Sequence, residues 1–388
     1  MTFGKLLRSL REDRGWSLGD LAGKVPYSRS HLSNLETGRR APVGDVARLC
    51  DVALNARGDL IAAANMDYVA RIDGTPWQTA ELLQRIQISD ASDATIASLN
   101  ATVYELCCQY NLRDAIELRA ESHGWLERVG KMLRKPVGLK AHQELLVSAG
   151  YLALLAGCTE YDLGMRATAE ATRTASLELG IESGHAEITG WAHEMSAWFA
   201  LTQGRYQNAI DAAQKGQLAS KGTSVYVQLL GHEAKARARL GQPGLDALLD
   251  EGQHYLEQRP EPERTEHHFV IDSSRWNYHS MDIHRLAGNL DKAREYATSA
   301  IESLVRPDGT EISPMRVSEA RLTLAVVASR EGDLEKAVDL GIEGLQGSRK
   351  SLPTMLMVAG ELDAELQQRY PKERLPGEFR EAVRAASH

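Results

Sequence analysis

Three segments of this chain carry one six-residue pattern, Gly-x-(Tyr/Leu)-x-x-Ala: Gly204-Arg205-Tyr206-Gln207-Asn208-Ala209, Gly288-Asn289-Leu290-Asp291-Lys292-Ala293 and Gly332-Asp333-Leu334-Glu335-Lys336-Ala337. Each sits between two amphipathic stretches rich in Ala, Leu, Glu, Gln and Arg. A glycine lets the backbone reverse sharply, and a small alanine lets the returning helix pack closely on the one before it. Weaker copies surround Gly157 and Gly241, so that the glycines at 157, 204, 241, 288 and 332 are separated by 47, 37, 47 and 44 residues. Self-similarity at that period is the mark of stacked helix pairs. β-branched runs and alternating apolar patterns are scarce, so no strand is needed and the expected fold class is all-α.

The array resembles the tetratricopeptide (TPR) family over about residues 110 to 370. That resemblance implies an α-solenoid with a concave groove. It places on the groove the residues thirteen, ten and six before each turn glycine: Glu144, Val147 and Tyr151; Trp191, Glu194 and Trp198; Gln228, Gly231 and Lys235; Arg275, Tyr278 and Asp282; Glu319, Leu322 and Val326. Of these, Tyr151, Trp191, Glu194, Trp198, Gln228, Lys235, Arg275, Tyr278, Asp282 and Glu319 are the candidate ligand-binding residues. Aromatics beside charges suit a peptide. Trp191 and Trp198, seven apart, read equally well as core between repeats, and Arg275, Asp282 and Glu319 as solvated charges. A buried small-molecule pocket near Trp276, Tyr278 and His279 is the alternative to a peptide groove.

The first sixty residues follow a different plan. Phe3, Leu6, Leu7 and Leu10 recur as one helical face, which predicts a helix to about Arg14 with Gly15 as its stop. Ser17 is a good N-cap for a second helix with Leu18, Leu21 and Ala22 inward. Pro26 cannot continue that helix, and Ser28 caps a third in which Leu32 and Leu35 face the core. Arg29 with Ser33, and Ser30 with Asn34, then stack in i, i+4 pairs on the opposite side. Gly38 ends this helix and Arg39 and Arg40 follow. A fourth helix (Val46, Leu49, Cys50, Ala53) and a fifth around Leu60 and Ile61 close a five-helix core.

Residues 2 to 64 resemble the phage-repressor-like (Xre-type) helix-turn-helix domain. That resemblance implies a second helix of the pair lying in the major groove. It makes Ser17 and Ser28 phosphate-binding caps, Arg29, Ser30, Ser33 and Asn34 base readers, Tyr27 a further DNA contact, and Arg39 and Arg40 grips on the backbone. Arg11 and Glu36 match a buried structural pair tying the first helix to the reader. Leu18 stands where the family commonly has a polar residue, and Pro26 replaces the usual turn glycine.

Charge divides along the same line. Residues 1 to 64 hold ten Lys/Arg against seven Asp/Glu, a net +3, and the whole chain carries −8, leaving −11 for the rest. DNA affinity rests on neutralising phosphates, so only the head is expected to touch nucleic acid, and one head alone weakly. The expected organisation is 1–64 DNA-binding domain, 65–78 linker around Asp73-Gly74-Thr75-Pro76, and 79–388 TPR-like domain for ligand or partner binding and dimerisation.

Chemistry is otherwise sparse. Phosphate-loop, nucleophile-turn and His-Glu-x-x-His motifs are absent, and the histidines lack the i, i+4 spacing of two metal ligands on one helix face. No metal, cofactor or enzyme activity is expected. Cys50, Cys107, Cys108 and Cys158 read as buried or half-buried thiols in a reducing compartment, with a Cys107-Cys108 redox sensor as the lesser reading. The N-terminus enters an amphipathic helix without a signal sequence, and the longest apolar run, Leu145 to Cys158, is too short to span a bilayer. A cytoplasmic, nucleoid-associated protein is expected. Combined, head and solenoid resemble peptide-responsive quorum-sensing regulators. The expected partners are an inverted-repeat operator, a second copy of the chain, and a peptide in the groove. A small-molecule sensor of secondary metabolism, or a scaffold docking a partner protein, remains the alternative.

Overall fold

A computed structural model describes residues 2–40, 42, 45–64 and 92–387. The expected linker at 65–78 lies outside the described residues. The chain divides into two compact units, with the described residues up to 64 in the first and those from 92 in the second. Every regular element among the described residues is a helix, and one isolated antiparallel bridge, Val305 to Glu311, closes a loop.

The first unit holds α1 (Phe3–Asp13), α2 (Leu18–Ala22), α3 (Arg29–Glu36), α4 (Val46–Ala53) and further helical residues at 59–64. Its core is Phe3, Leu7, Leu21, Leu32, Leu35, Val46, Cys50, Leu54 and Leu60, all essentially without solvent contact. Gly15 and Gly38 adopt φ of +66° and +72° at the ends of α1 and α3, a conformation that costs glycine nothing. Gly4 has a different reason. A Cβ there would lie 2.3 Å from the Leu35 carbonyl oxygen, so α1 crosses α3 with no room for a side chain.

The second unit runs α5 (Asp93–Cys108), α6 (Ala115–Leu133), α7 (Leu139–Asp162), α8 (Arg166–Ser183), α9 (Ala186–Thr202), α10 (Tyr206–Ala219), α11 (Val225–Arg239), α12 (Leu245–Glu257), α13 (Ser273–Leu286), α14 (Leu290–Leu304), α15 (Pro314–Glu331), α16 (Leu334–Gly344), α17 (Leu352–Arg369) and α18 (Leu375–Ala386). The turns after α9, α13 and α15 share one hydrogen-bond pattern. The residue after each glycine donates back to a carbonyl five residues earlier: Arg205 to Ala200, Asn289 to His284 and Asp333 to Ala328, at 2.9, 2.9 and 3.0 Å. This is the Schellman closure, and Ala209, Ala293 and Ala337 beyond each turn are fully buried, as close helix packing requires.

Gly157 breaks the expected register. It lies inside α7, where a Cβ would meet the Met195 methyl at 2.6 Å, and the turn glycine of this repeat is Gly164, with φ of +76° and the same closure from Met165 to Glu160. The sequence copy around Gly157 marked a close helix crossing instead of a turn.

Helices α7, α9, α11, α13, α15 and α17 form an inner layer in which each packs on the next, and α17 returns to pack on α7 and α9. The concave face is therefore closed into a ring. Arg349, just before α17, bonds the fully buried Asp162 at the end of α7 at 2.7 Å. Met357 of α17 packs on the Ala200–Leu201 cluster of α9. The ring is further occupied by the loop between α12 and α13. His268 donates its backbone N–H to Cys107 at 3.0 Å, His267 and His268 lie on the rings of Tyr104 and Tyr110, and Phe269 packs between Tyr151 and Trp191.

Candidate functional site

In the first unit, α2 and α3 are both started by serine. Ser17 and Asp20 form a reciprocal capping box, with Ser17 N–H donating to the Asp20 carboxylate at 2.8 Å and Asp20 N–H to Ser17 Oγ at 3.2 Å. Ser28 Oγ accepts from His31 N–H at 3.2 Å. Both serines are exposed, as are Arg29, Ser30, Arg39 and Arg40, while Tyr27, Ser33 and Asn34 are half-buried. Arg29 lies across Gly19, close enough that a Cβ there would come within 3.1 Å of its Nε. The α2 backbone thus props the guanidinium at the start of α3. Tyr27 stacks on His31 with ring centroids 4.9 Å apart, and Arg40 N–H closes onto the Asn34 carbonyl at 3.0 Å. Leu18 packs against the core of this unit, and Pro26 is exposed in the segment between α2 and α3.

Arg11 and Glu36 hold α3 to α1. The guanidinium meets both carboxylate oxygens, at 2.6 and 2.7 Å, and its third contact is the Trp16 carbonyl at 2.7 Å. The pair is almost fully buried, and the hydrogen bonds that Arg11 donates to Glu36 raise the Arg11 pKa against the opposing effect of burial.

In the second unit, the inner ring surrounds a cavity of about 110 Å³. Glu194, Trp198, Gln228, Lys235, Arg275, Tyr278 and Glu319 of the expected groove line it, and His279 joins them. Trp198 is tied to Thr354 across the ring. Glu194 accepts from Gln228 Nε2 and pairs with His232 Nε2, each at 2.8 Å, and Gln228 Oε1 meets His279 Nε2 at 2.8 Å. Lys235 pairs with Asp282 at 3.2 Å and lies 4.8 Å from the Tyr278 ring centroid. Burial pushes the Glu319 carboxyl up to about 7, with Lys235 and Tyr278 opposing, and pushes His268 and His279 well below the usual imidazole range. Arg275 is lowered to about 10 by the same cause, although it donates to the His268 and Val270 carbonyls.

The remaining expected residues lie elsewhere. Trp191 is core, 5.2 Å from the Phe269 ring and 5.8 Å from the Arg275 guanidinium. Asp282 is buried in an ion cluster: burial opposes its charge, but Arg285, Lys235 and Arg239 together hold its carboxyl well below the usual range. Tyr151, Glu144 and Val147 line a separate hollow of about 640 Å³ with Tyr104, His185 and Phe269. Trp276 is buried against Gly252, outside the cavity. Sequence reasoning missed Tyr110, His232, His268, Met315, Arg316 and Met357. Two of these carried a signal: His232 follows Gln228 by four and Arg316 precedes Glu319 by three, which puts each on the same helical face as an expected residue.

All four cysteines are free and buried, and burial pushes Cys50 and Cys108 up to about 11 and Cys107 and Cys158 well above the usual thiol range, so none has thiolate character. No group of three or more potential metal ligands occurs among the described residues, and no described helix is long and apolar enough to cross a membrane.

Residues 2–64 match the helix-turn-helix domain family. That match makes this a DNA-binding protein of the regulator class, built as a helix-turn-helix domain followed by an all-helical, repeat-like body. No curated protein matches the chain.

Proposed function

We propose that this chain is a homodimeric, sequence-specific transcriptional regulator of the Xre type whose TPR-like body senses a ligand. The observation that carries the reading is the α3 face. Arg29, Ser30, Ser33 and Asn34 lie on α3 after the Ser28 cap, and the Arg29 side chain lies against Gly19 of α2, which supports reading Arg29 as a base contact. Arg39 and Arg40 follow as phosphate contacts. A head with a net charge of only +3 binds weakly alone, and joining two heads on one palindrome raises affinity through effective concentration.

For the ligand, the closed inner ring favours a small molecule, because an extended peptide needs a groove open at both ends. The peptide reading rests on the larger hollow beside Tyr151. In either case the ligand acts by binding one shape of the body more tightly than another, about tenfold in population for each ~1.4 kcal/mol of difference.

Selection of duplexes from a random DNA pool by the full-length protein tests the regulator reading. Enrichment of an inverted repeat bound by two protomers is expected. A pool that stays random, or a specific complex with one protomer, overturns the corresponding part.

A further inference from the structure

We propose that the cavity inside the helical ring binds a small organic carboxylate with an apolar body, its acid group held by Arg316. This deepens the reading of the body as a ligand sensor and rests on it. Arg316 lines the cavity from the first turn of α15 and makes no hydrogen bond or ion pair with any described residue. Its charge is disfavoured there by burial, with Asp272, Tyr278 and Glu319 offsetting only part of the effect. A cation in such surroundings is costly without a counter-ion.

The other charges around it are committed. Lys235 is paired with Asp282, Arg275 with two backbone carbonyls, and Glu194 with Gln228 and His232. Glu319, one turn along the same helix, faces Tyr278 and holds its proton up to about pH 7. Arg316 is thus the cavity's open valence.

Two helix ends add to it. Ser313 before α15 and Ser351 before α17 give their helices no side-chain cap, and both first turns reach the cavity, at Met315 and Arg316 and at Ser351 and Thr354. Unsatisfied N–H groups and the positive end of the helix dipole favour an anion at such places. A planar guanidinium matches a carboxylate in two parallel hydrogen bonds. Trp198, Leu201, Tyr278 and Met357 also line the cavity and suit an aromatic or aliphatic body. At about 110 Å³ the space is well below the roughly 300 Å³ at which drug-sized pockets begin, so the occupant is of simple-metabolite size.

The test uses the full-length protein with benzoate, phenylacetate and 4-hydroxybenzoate as probes and benzamide as the neutral isostere, read by calorimetry and by quenching of tryptophan fluorescence. At least one carboxylate is expected to bind saturably and about tenfold or more tighter than benzamide. Arg316→Gln is expected to abolish that preference and Arg316→Lys to keep part of it. No saturable binding by any of the three acids, equal binding of benzamide, or an unchanged affinity in a folded Arg316→Gln protein overturns the proposal. DNA binding measured on the same preparations separates the two readings. Specific DNA binding without carboxylate binding rejects this inference alone, and carboxylate binding without specific DNA binding rejects the regulator.

Discussion

The indole N–H of Trp198 donates to the Thr354 hydroxyl at 2.9 Å, joining α9 to α17 across 156 residues of sequence. Beside it, Arg349 reaches Asp162, whose carboxylate also accepts from Tyr110 at 2.5 Å. These two contacts turn a curved stack of helix pairs into a ring. Thr354→Val should cost about 1 kcal/mol, the usual net worth of one hydrogen bond. Arg349→Ala leaves a fully buried carboxylate with only Tyr110 and should cost about 3–5 kcal/mol. Urea denaturation gives both values, and hydrogen exchange should rise first in α17.

Arg29→Ala should reduce discrimination at one base pair of each half-site by about 1–3 kcal/mol, with folding and dimerisation unchanged. Footprinting across single-base operator variants measures it. Arg40→Ala should weaken all sequences alike and flatten the salt dependence by about one counter-ion per head.

Gly4→Ala should unfold or strongly loosen the head. Its new methyl meets the Leu35 and Glu36 carbonyl oxygens at 2.3 and 2.9 Å, and backbone cannot rotate away as a side chain can. A loss of about 3 kcal/mol or more is expected. Circular dichroism should show a lost low-temperature transition together with lost DNA binding and an unaltered body.

His267 titrates at about 4 in the folded protein, held down by burial with Arg275 and Arg264. In the unfolded chain it takes a proton near pH 6.5, so folding below that pH must expel the proton. The contribution is complete above pH 6.5 and lost as pH falls towards 4, about 3 kcal/mol over the window. Chemical denaturation from pH 7 to 4 should show this fall, and His267→Gln should reduce its slope.

Glu319 acts with the opposite sign. Its folded pKa of about 7 lies above the ordinary 4.5, so the folded state keeps a proton that the unfolded chain releases. Stability from this group is full below about pH 4.5 and lost as pH rises through 7, at most about 3 kcal/mol. The stability difference between Glu319→Gln and the parent should therefore move in favour of the variant from pH 5 to pH 8.

The head was largely legible because its signals are local. Ser17 and Ser28 cap the helices that follow them, and Gly15 and Gly38 end the helices before them, each through contacts with near neighbours in sequence. The lining residues Glu194, Trp198, Gln228, Lys235, Arg275, Tyr278 and Glu319 were reached through the resemblance to the TPR family, which implies the groove positions counted back from each turn glycine. Where the turn was misplaced, at Gly157, the face moved with it: counting from Gly164 puts Tyr151 and Cys158 where Glu144 and Tyr151 had been expected. Ring closure was not legible. It depends on the sum of small rotations between successive helix pairs, and no residue near Thr354 announces a partner near Trp198. The loop carrying His267, His268 and Phe269 looked like a connection between helices, and only the space inside the ring shows why it is buried.

Closure also sets a limit on ancestry. A solenoid with free ends can gain or lose a unit by duplication, because each unit touches only its neighbours. Here an added pair of helices would carry Thr354 past Trp198, and Arg349 past Asp162, by one full step. The number of repeats is thus fixed by the circumference, and descendants of this body can vary its lining but not its length.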